Sequence, residues 1–436
     1  MENARKTAVK LLCRIDESNS YSNILLDEHF SHSQLDAQGK KFCAAVFYGT
    51  LERRLTLDEI IRKYSAKPSD KLNPEVRNIL RTALYQLLYM DGVPESAAVN
   101  EAVKLASKNR NPAVKNYVNG LLRAFLRNDK KLPEFDSTVQ QMSFDYSCPQ
   151  ALLDKWLTEY GEETAETMLR SSLGRPPITL KVNTTLTSAE ELIFKLEEDG
   201  FGGKVNRYFP DCVDFLGASP ESTQAYKDGL FHVQDIASRL CCKALDPAPG
   251  MTVLDLCAAP GGKSFTIAEL MENGGKLYSF DLHENRVRLI NNGAKRLKLD
   301  IIKASANNAK LFNDMIPQAD RVLCDVPCSG YGVIRRKPEI KYKDPEDFRR
   351  LPDVQYEILD TSSKYVKEGG QLVYSTCTLS RKENDEVVKR FLKEHSEFAP
   401  APLWEDFVRF NGDTSLTVLP EYFNSDGFFI AKFIRL

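Results

Sequence analysis

The chain has 436 residues, of which 42% are hydrophobic and 28% charged, with a formal net charge of −2. This length exceeds one ordinary hydrophobic core and predicts two or three domains of a globular protein. No apolar run approaches the roughly 18 residues that span a bilayer, and the N-terminus begins an amphipathic pattern that is not a signal peptide. We therefore expect a cytoplasmic protein with no membrane partner.

Charge is divided unevenly along the chain. Residues 1–131 hold 22 Lys and Arg against 15 Asp and Glu, a balance of +7, and the remaining residues hold 37 against 46, a balance of −9. A basic module joined to an acidic one fits a polyanion-binding arm beside a catalytic body. Chance variation of the surface explains the asymmetry equally well.

The ten cysteines include no CxxC pair, and of the five histidines only His29 and His32 are close in sequence. We therefore expect no metal site. Thiols stay reduced in the cytosol, and most buried cysteines behave as small hydrophobic residues.

The first elements in the chain are helical. Apolar residues recur at helical spacing through residues 4–127, and a polar, proline-broken stretch at 127–134 is typical of a linker. Helical patterning resumes at 149–172, and residues 177–183 form a predicted strand. We expect a helical domain over 1–131, an α+β segment over 140–225 and a third domain over 226–436.

Strands and helices alternate from residue 250 onward. The predicted strands are 253–256, 276–280, 321–324 and 371–375. One predicted helix begins near 263, a second ends near 297, and a third runs over 346–367. Such alternation predicts an α/β domain of the Rossmann-like, doubly wound type, with a mostly parallel sheet and helices on both faces.

A glycine-containing turn joins the first of these strands to its helix. It reads DLCAAPGGK over 255–263, and Asp281 ends the next strand 19 residues after Gly262. This spacing suits a carboxylate that accepts hydrogen bonds from ribose hydroxyls beside a helix N-terminus. The loop is neither GxGxxG nor a nucleotide phosphate loop, which favours another adenosyl ligand over a nicotinamide cofactor or ATP. An ordinary strand–turn–helix is the alternative.

Two cysteines each follow a strand: Cys328 in DVPCSG (325–330) and Cys377 in YSTCTL (374–379). Strand ends of this kind form the ligand-binding edge of a doubly wound sheet. A thiolate that adds to carbon 6 of cytosine makes carbon 5 nucleophilic enough to take a methyl group. Asp325, if burial keeps it protonated, is placed to bond the ring at N3.

The loop CAAPGGK (257–263) and the two cysteine segments together resemble the RNA cytosine-5 methyltransferases. Flanking matches include residues 233–238, 332–338, 383–384 and 426–429, and the likeness covers about residues 145–436. It implies S-adenosylmethionine as cofactor. It also implies that the cofactor is bound by Asp281, Asp325 and the loop residues Cys257, Ala258, Ala259, Pro260, Gly261, Gly262 and Lys263. Cys377 would be the nucleophile and Cys328 the cysteine that assists product release, although in DNA cytosine methyltransferases the Pro-Cys cysteine attacks.

The chain departs from that family after the third strand of the sheet. The family usually has an acidic residue there that contacts the adenine amine, whereas this chain has Asn307, with Asn308 as the alternative register. An amide oxygen still accepts that hydrogen bond, although without charge.

Residues 4–127 resemble the NusB-like RNA-binding domain, through FYGTL (47–51), LYQLLY (84–89), VPESAAVNE (93–101) and VNGLLR (118–123). The two domains together resemble the RsmB (Sun) family, which methylates a cytosine of bacterial small-subunit ribosomal RNA. The resemblance implies unassembled or early-assembly small-subunit RNA as partner. The alternatives are the same chemistry on transfer RNA, or an RNA-binding factor without enzymatic activity.

A basic run, Arg335-Arg336-Lys337, follows Cys328 and fits phosphate contacts beside a flipped base. Lys341, Tyr342 and Lys343 extend this run. A solvated surface loop is the alternative interpretation.

Overall fold

The computed structural model describes residues 2–17, 21–65, 69–109, 111–217, 219–404 and 412–436. The chain divides into two units: Met1–Gly174 with Ile334–Lys343, and Arg175–Val333 with Asp344–Leu436. Among the described residues, no helix combines the length and the apolarity that crossing a bilayer requires.

The first unit is helical, which confirms the prediction for residues 4–127. Its helices are α1 (Ala4–Glu17), α2 (Ser22–His32), α3 (Ala37–Glu52), α4 (Arg54–Tyr64), α5 (Pro74–Tyr89), α6 (Glu95–Ala106), α7 (Pro112–Arg127), α8 (Thr138–Asp145), α9 (Gln150–Tyr160) and α10 (Glu162–Ser171). Short 3-10 helices lie at Ser69–Lys71 and Pro338–Tyr342.

Local capping explains where two of these helices begin. Proline occupies the first position of α5 and α7, where its missing N–H costs nothing. The preceding residues, Asn73 and Asn111, accept hydrogen bonds from the backbone N–H groups of Glu75 and Ala113. The buried faces of the helices then form two apolar clusters, one containing Ile60, Leu80 and Phe125 and the other Leu11, Val46 and Phe47.

Residues 334–343 pack within this helical unit although the chain on both sides belongs to the other unit. Glu339 accepts hydrogen bonds from the backbone N–H and hydroxyl of Ser22, at 2.9 and 2.7 Å. Lys341 Nζ is buried and donates to the carbonyl of Glu52 at 2.9 Å. The prediction that Lys341 extends an exposed basic run is therefore wrong, because its ammonium group is used inside the helical unit.

The second unit begins with a small antiparallel sheet. Its strands, in the order β2-β3-β1-β4, are β1 (Thr179–Val182), β2 (Gly202–Val205), β3 (Cys212–Leu216) and β4 (Phe231–Val233). Helices α11 (Ala189–Glu198) and α12 (Gln224–Lys227) accompany it, and a capping box of Ser188 and Glu191 begins α11. The strand predicted over 177–183 is confirmed as β1.

The larger sheet has eight strands and supports the predicted site. They are β5 (Thr252–Asp255), β6 (Lys276–Asp281), β7 (Ile302–Ala306), β8 (Ala319–Asp325), β9 (Val366–Thr376), β10 (Phe398–Pro400), β11 (Ser415–Val418) and β12 (Phe428–Arg435). The order is β10-β12-β9-β8-β5-β6-β7, with β11 paired to β12. The five strands from β7 to β9 are parallel, whereas β12 is antiparallel to β9.

Helices cover both faces of this sheet, as predicted. They are α13 (Ile236–Leu245), α14 (Gly262–Leu270), α15 (Glu284–Leu297), α16 (Leu351–Ser363), α17 (Asp385–Glu394) and the short α18 (Pro420–Phe423). Val253, Leu323 and Val373 pack on one face with α13–α15, and their neighbours Leu254 and Val322 pack on the other with α16 and α17. Alternate residues thus enter two cores, which is the arrangement of a doubly wound fold.

One predicted helix differs from the structure. The pattern over 346–367 predicts a single helix, but a 3-10 turn at Pro345–Phe348 precedes α16, and β9 already begins at Val366. Pro352 lies near the start of α16, where proline is tolerated only in the first turn.

Candidate active site

The predicted site residues gather at one edge of the larger sheet. The strands β5, β6, β8 and β9 end at Asp255, Asp281, Asp325 and Thr376. Because these strands are parallel, their carboxyl ends and the loops that follow lie on the same side. This edge is where doubly wound sheets bind ligands.

The loop of 256–261 is fixed by backbone hydrogen bonds to neighbouring strands. Leu256 N–H donates to the carbonyl of Leu323 at 3.1 Å, and Ala258 N–H donates to that of Phe280 at 2.7 Å. Gly261 has a φ of 115°, and a Cβ there would lie 2.4 Å from the ring of Phe265. The turn thus requires glycine before α14, whose first backbone N–H groups have no acceptor within the helix.

Asp255 lies beneath this loop and is fully buried. It accepts a hydrogen bond of 2.7 Å from the hydroxyl of Ser264, which itself accepts one from Ser279. Burial, reinforced by the nearby Asp325, raises the pKa of Asp255 to about 7 although the Ser264 bond opposes the rise. Asp255 was not predicted as a functional residue, although its position as a carboxylate at the end of a buried strand was a signal for one.

Asp281 and Asn307 lie side by side at the ends of β6 and β7. The backbone N–H of Asn307 donates to the carbonyl of Asp281 at 3.0 Å. The carboxylate of Asp281 accepts a bond of 3.2 Å from His283 N–H and lies 3.4 Å from the guanidinium of Arg286. A carboxylate at this position fits the ribose of an adenosyl ligand.

The two asparagines after β7 make different contacts. Asn308 Oδ1 accepts a bond from Lys310 N–H and thereby closes a turn. Asn307 Oδ1 lies 3.4 Å from Asn313 Nδ2, and Asn307 Nδ2 is buried with no hydrogen-bond partner among the described residues. Buried polar groups usually have a hydrogen-bond partner, and contact with an adenine would supply one for the Asn307 amide. The residues at this edge therefore fit an adenosyl cofactor.

An ion pair joins the first turn of α14 to the end of β8. Lys263 Nζ lies 2.8 Å from Asp325 Oδ2, and Ser375 donates to Asp325 Oδ1 at 2.7 Å. Burial alone would lower the pKa of Lys263, but attraction to Asp325 outweighs burial and raises it well above the usual value. The Asp325 side chain is 23% exposed and lies in an ion pair, whereas the sequence analysis considered a buried carboxyl group at this position.

The two predicted cysteines are adjacent. Cys328 Sγ and Cys377 Sγ are 3.1 Å apart. Both are half-buried, whereas six of the ten cysteines are fully buried. The hydrogen bond to Cys377, followed by burial, raises the pKa of the Cys328 thiol well above its usual value. Cys328 therefore keeps its proton and can donate it toward the sulfur of Cys377.

Two glycines hold the backbone around Cys377. The N–H of Gly332 donates to the carbonyl of Cys377 at 3.0 Å, and the N–H of Gly427 donates to the carbonyl of Gly332 at 2.8 Å. Both glycines lie in segments that resemble the methyltransferase family, but their contact was not predicted from the sequence.

Two further expectations concern metals and basic residues. Within the described ranges, no three or more His, Cys, Asp and Glu side chains are arranged to hold a metal ion. Lys337 and Lys343 lie over the ring of Tyr21, with Nζ at 4.6 and 4.4 Å from its centre. These lysines thus make contacts inside the helical unit.

Comparison with known families matches three consecutive parts of the chain. Residues 2–127 match the NusB family, and residues 148–220 match a ferredoxin-like domain of RsmF/B-like methyltransferases. Residues 242–434 match the family described as 16S rRNA methyltransferase RsmB/F.

Two similar proteins and one similar solved structure each cover nearly the whole chain. A probable ribosomal RNA small subunit methyltransferase B of Bacillus subtilis (strain 168) is 39% identical, over 98% of both chains. The ribosomal RNA small subunit methyltransferase B of Escherichia coli O1:K1 is 33% identical, over 97% of this chain and 96% of its own. The crystal structure of PH0851 matches with a TM-score of 0.82 and 28% identity, over 99% of both chains.

These similarities confirm the predicted fold: a helical NusB domain followed by a Rossmann-like methyltransferase domain with a mostly parallel sheet. They also confirm S-adenosylmethionine as the cofactor. The full-length relatives at 39% and 33% identity show that the chain belongs to the 16S rRNA methyltransferase RsmB/F family.

Proposed function

We propose that this protein methylates carbon 5 of a specific cytosine in small-subunit (16S) ribosomal RNA, through a covalent bond between Cys377 and the base. The observation that supports this most directly is the 3.1 Å contact between Cys328 Sγ and Cys377 Sγ at the ligand-binding edge of the sheet. Two half-buried cysteines in contact there suit a reaction with two thiol steps, namely addition and release.

Attack begins at Cys377. Its thiol gives up a proton and the sulfur forms a bond to carbon 6 of cytosine. The carbon 5–carbon 6 double bond opens, the ring takes up a proton at N3, and carbon 5 becomes nucleophilic. Asp325 lies at the end of β8, where Lys263 and Ser375 hold its carboxylate. Ser375 lies two residues before Cys377, so Asp325 is held beside the strand that leads to the attacking cysteine. We assign Asp325 to the pyrimidine ring at N3, where a carboxylate stabilises the protonated adduct.

S-adenosylmethionine, when bound, supplies the electrophilic methyl group. We assign the methionine part of the cofactor to residues Cys257, Ala258, Ala259, Pro260, Gly261, Gly262 and Lys263. We also assign to the side-chain carboxylate of Asp325 a contact with the cofactor. Asp281 would accept hydrogen bonds from the ribose hydroxyls, and Asn307 would contact the adenine. The unpaired Nδ2 of Asn307, and the turn in which Asn308 is engaged, favour Asn307 over Asn308.

For release, a base takes the proton from carbon 5, the carbon 5–carbon 6 double bond forms again, and the bond between carbon 6 and sulfur breaks. The sulfur of Cys377 regains negative charge in this step. Cys328, whose raised pKa keeps it a thiol, stabilises that charge by donating a hydrogen bond across 3.1 Å. This assignment makes Cys328 the release residue and leaves attack to Cys377.

The proposed division of labour follows the domain ranges inferred from the sequence. Residues 1–131 would bind RNA, residues 140–225 would form the small α+β domain, and residues 226–436 would carry the catalysis. The proposed partner is small-subunit RNA, unassembled or in early assembly, and the proposed location is the cytoplasm.

Bisulfite sequencing of RNA from a deletion strain tests the reaction and the substrate together. We expect one cytosine of small-subunit RNA to lose its protection, and the wild-type gene but not Cys377→Ala to restore it. Cys13→Ala, at a half-buried cysteine of α1, is the matched control and should restore it fully. Loss of protection only in transfer RNA would change the substrate, and no loss in any RNA would favour a factor without this activity.

A further inference from the structure

A buried glutamate is bonded to the residue that follows Cys328. Glu383 Oε2 accepts the backbone N–H of Ser329 at 2.9 Å, and Glu383 Oε1 accepts its hydroxyl at 2.6 Å. Glu383 and Ser329 are each 3% exposed. Two parallel hydrogen bonds to one carboxylate fix the direction of a loop as well as its position.

The same serine is bonded to the residue that follows Cys377. The hydroxyls of Ser329 and Thr378 are 2.7 Å apart, and Thr378 is fully buried. The residues that directly follow the two cysteines are therefore joined to each other. A chain of hydrogen bonds runs from Glu383 through Ser329 to Thr378.

Two more buried amides complete this network. Gln355 of α16 donates to Glu383 Oε2 at 2.9 Å and to the carbonyl of Pro327 at 3.0 Å. Asn384 accepts a bond from the hydroxyl of Thr376 and donates to the carbonyl of Thr378, at 2.7 and 3.0 Å. Residues on both sides of each cysteine are thus held by polar groups outside the cofactor loop.

We infer that Glu383 is a positioning residue for the reaction: through Ser329 and Thr378 it holds the loops of Cys328 and Cys377 so that their sulfurs face each other. The inference rests on the proposed function, since it matters only where both sulfurs act. A shift of about 1 Å in a reacting group can cost roughly 100-fold in rate, and these hydrogen bonds determine where two reacting sulfurs lie. None of them involves a residue assigned to the cofactor.

The test measures covalent capture of RNA. Small-subunit RNA transcribed with 5-fluorocytidine is the probe, because fluorine at carbon 5 is not lost as the proton is and the bond to Cys377 persists. The rate constant of capture, the KM values for S-adenosylmethionine and RNA, and the melting temperature are measured on the full-length protein. The variants are Glu383→Ala, Glu383→Gln, Ser329→Ala, Thr378→Val and the Ser329→Ala/Thr378→Val double variant.

Ser363→Ala is the matched control. Ser363 is also 3% exposed, and its hydroxyl donates to the carbonyl of Asp360 at 2.7 Å at the end of α16, so its loss removes an equivalent bond away from the cysteine loops. We expect Ser363→Ala to capture RNA at the wild-type rate. Any general effect of deleting a buried hydroxyl should appear equally in this control.

We expect Glu383→Ala and Ser329→Ala to slow capture about 10- to 100-fold, with both KM values within about twofold of the wild type. Glu383→Gln should recover part of the rate because its amide oxygen still accepts one bond from Ser329. The double variant should be no slower than the slower single variant, since both changes break the same hydrogen bond.

Capture at the wild-type rate by Glu383→Ala and Ser329→Ala would overturn the inference. The inference would also be overturned if the slower capture were explained by raised KM values or by a lowered melting temperature, and Glu383→Gln captured RNA no faster than Glu383→Ala. If Glu383→Ala does not fold, Glu383→Gln and Ser329→Ala decide the question by the same criteria. A wild-type protein that captures no RNA would instead refute the covalent mechanism on which the inference rests.

Discussion

Gly332 and Gly427 are in direct backbone contact beside Cys377. The N–H of Gly427 donates to the carbonyl of Gly332 at 2.8 Å, and the N–H of Gly332 donates to the carbonyl of Cys377. A Cβ on Gly332 would lie 1.9 Å from the carbonyl oxygen of Gly427 and 2.9 Å from that of Cys377. Backbone atoms cannot give way as a side-chain tip can, so this approach requires glycine.

Gly332→Ala is therefore expected to displace the Cys377 loop and to lower turnover by at least about 100-fold, the scale of a 1 Å misplacement. Gly120→Ala is the control, because Gly120 lies in α7 with no atom within 4 Å of the added Cβ. Alanine there should keep activity and raise stability by up to about 1 kcal/mol. Methyl transfer and thermal unfolding measure both effects; wild-type turnover by Gly332→Ala would contradict the contact.

The two cysteines should differ in what their loss does to the covalent adduct. With Cys377→Ala no bond to carbon 6 forms, so no RNA–protein adduct should appear. With Cys328→Ala, Cys377 still attacks, but its sulfur lacks the hydrogen bond from the Cys328 thiol when it leaves. A covalent adduct should therefore accumulate even on RNA that contains ordinary cytidine. Denaturing electrophoresis with labelled RNA reports this directly. An adduct in Cys377→Ala, and none in Cys328→Ala, would exchange the two assignments.

The ion pair between Lys263 and Asp325 should be coupled in turnover. Lys263→Met removes the cation that holds Asp325, and we expect turnover to fall by about 10-fold or more, which corresponds to at least about 1.4 kcal/mol. In a double-mutant cycle with Asp325→Asn, the combined loss should be smaller than the product of the single losses. Additive losses would show that the two side chains act independently.

The pH dependence of this pair follows from the raised pKa of Lys263. A raised pKa means that the stabilisation is complete below the unfolded value of about 10.4 and is lost only as pH rises through the higher folded value. The effect of Lys263→Met on turnover should therefore be constant between about pH 6 and 9.

Local patterns were sufficient to predict the helices and parallel strands. Periodicity predicted a helical region over residues 4–127, and the alternation of strand and helix predicted strands that correspond to β5, β6, β8 and β9, because each signal lies within a short stretch of chain. Pairing between distant segments leaves no such signal. The antiparallel addition of β12 to β9, and the packing of residues 334–343 in the helical unit, depend on contacts across many residues.

The same distinction applies to the site. Strand ends bring Cys328 and Cys377 to one edge, and the sequence predicted that much. It did not predict that Lys263 pairs with Asp325, because the partners lie 62 positions apart and only the fold brings them to 2.8 Å. The sequence placed Asp325 at a strand end, and the cation beside it comes from the first turn of α14.

Asn307 offers a test of cofactor recognition. If its amide contacts the adenine, Asn307→Ala should weaken binding of S-adenosylhomocysteine by about 5- to 30-fold, the cost of one buried hydrogen bond. Asn307→Asp keeps an acceptor but loses the Nδ2 donor, so tight binding by this variant would show that the oxygen contacts the adenine and weak binding that Nδ2 does. Asn308→Ala is the control because Asn308 is engaged with Lys310. Calorimetry gives the dissociation constants, and a larger loss in Asn308→Ala would reverse the register.

Asp255 predicts a specific dependence of stability on pH. The pKa of Asp255 in the folded protein is about 7, above the usual 3.8. At pH values between these two, the folded protein holds the proton and the unfolded chain has lost it. The contribution of Asp255 to stability is complete below about pH 4 and is lost as pH rises through about 7, at up to about 1.4 kcal/mol per pH unit. Asp255→Asn, which cannot ionise, lacks this loss.

The melting temperature of Asp255→Asn should therefore rise relative to the wild type between pH 5 and 7, and the difference should level off above about pH 7.5. Asp300→Asn, at an exposed aspartate before β7, should show no such trend. Scanning calorimetry at four pH values measures the difference between each variant and the wild type, so that titrations shared by both cancel. A difference independent of pH would mean that Asp255 is ionised throughout, with its charge stabilised by donors around Ser264 and the loop above it.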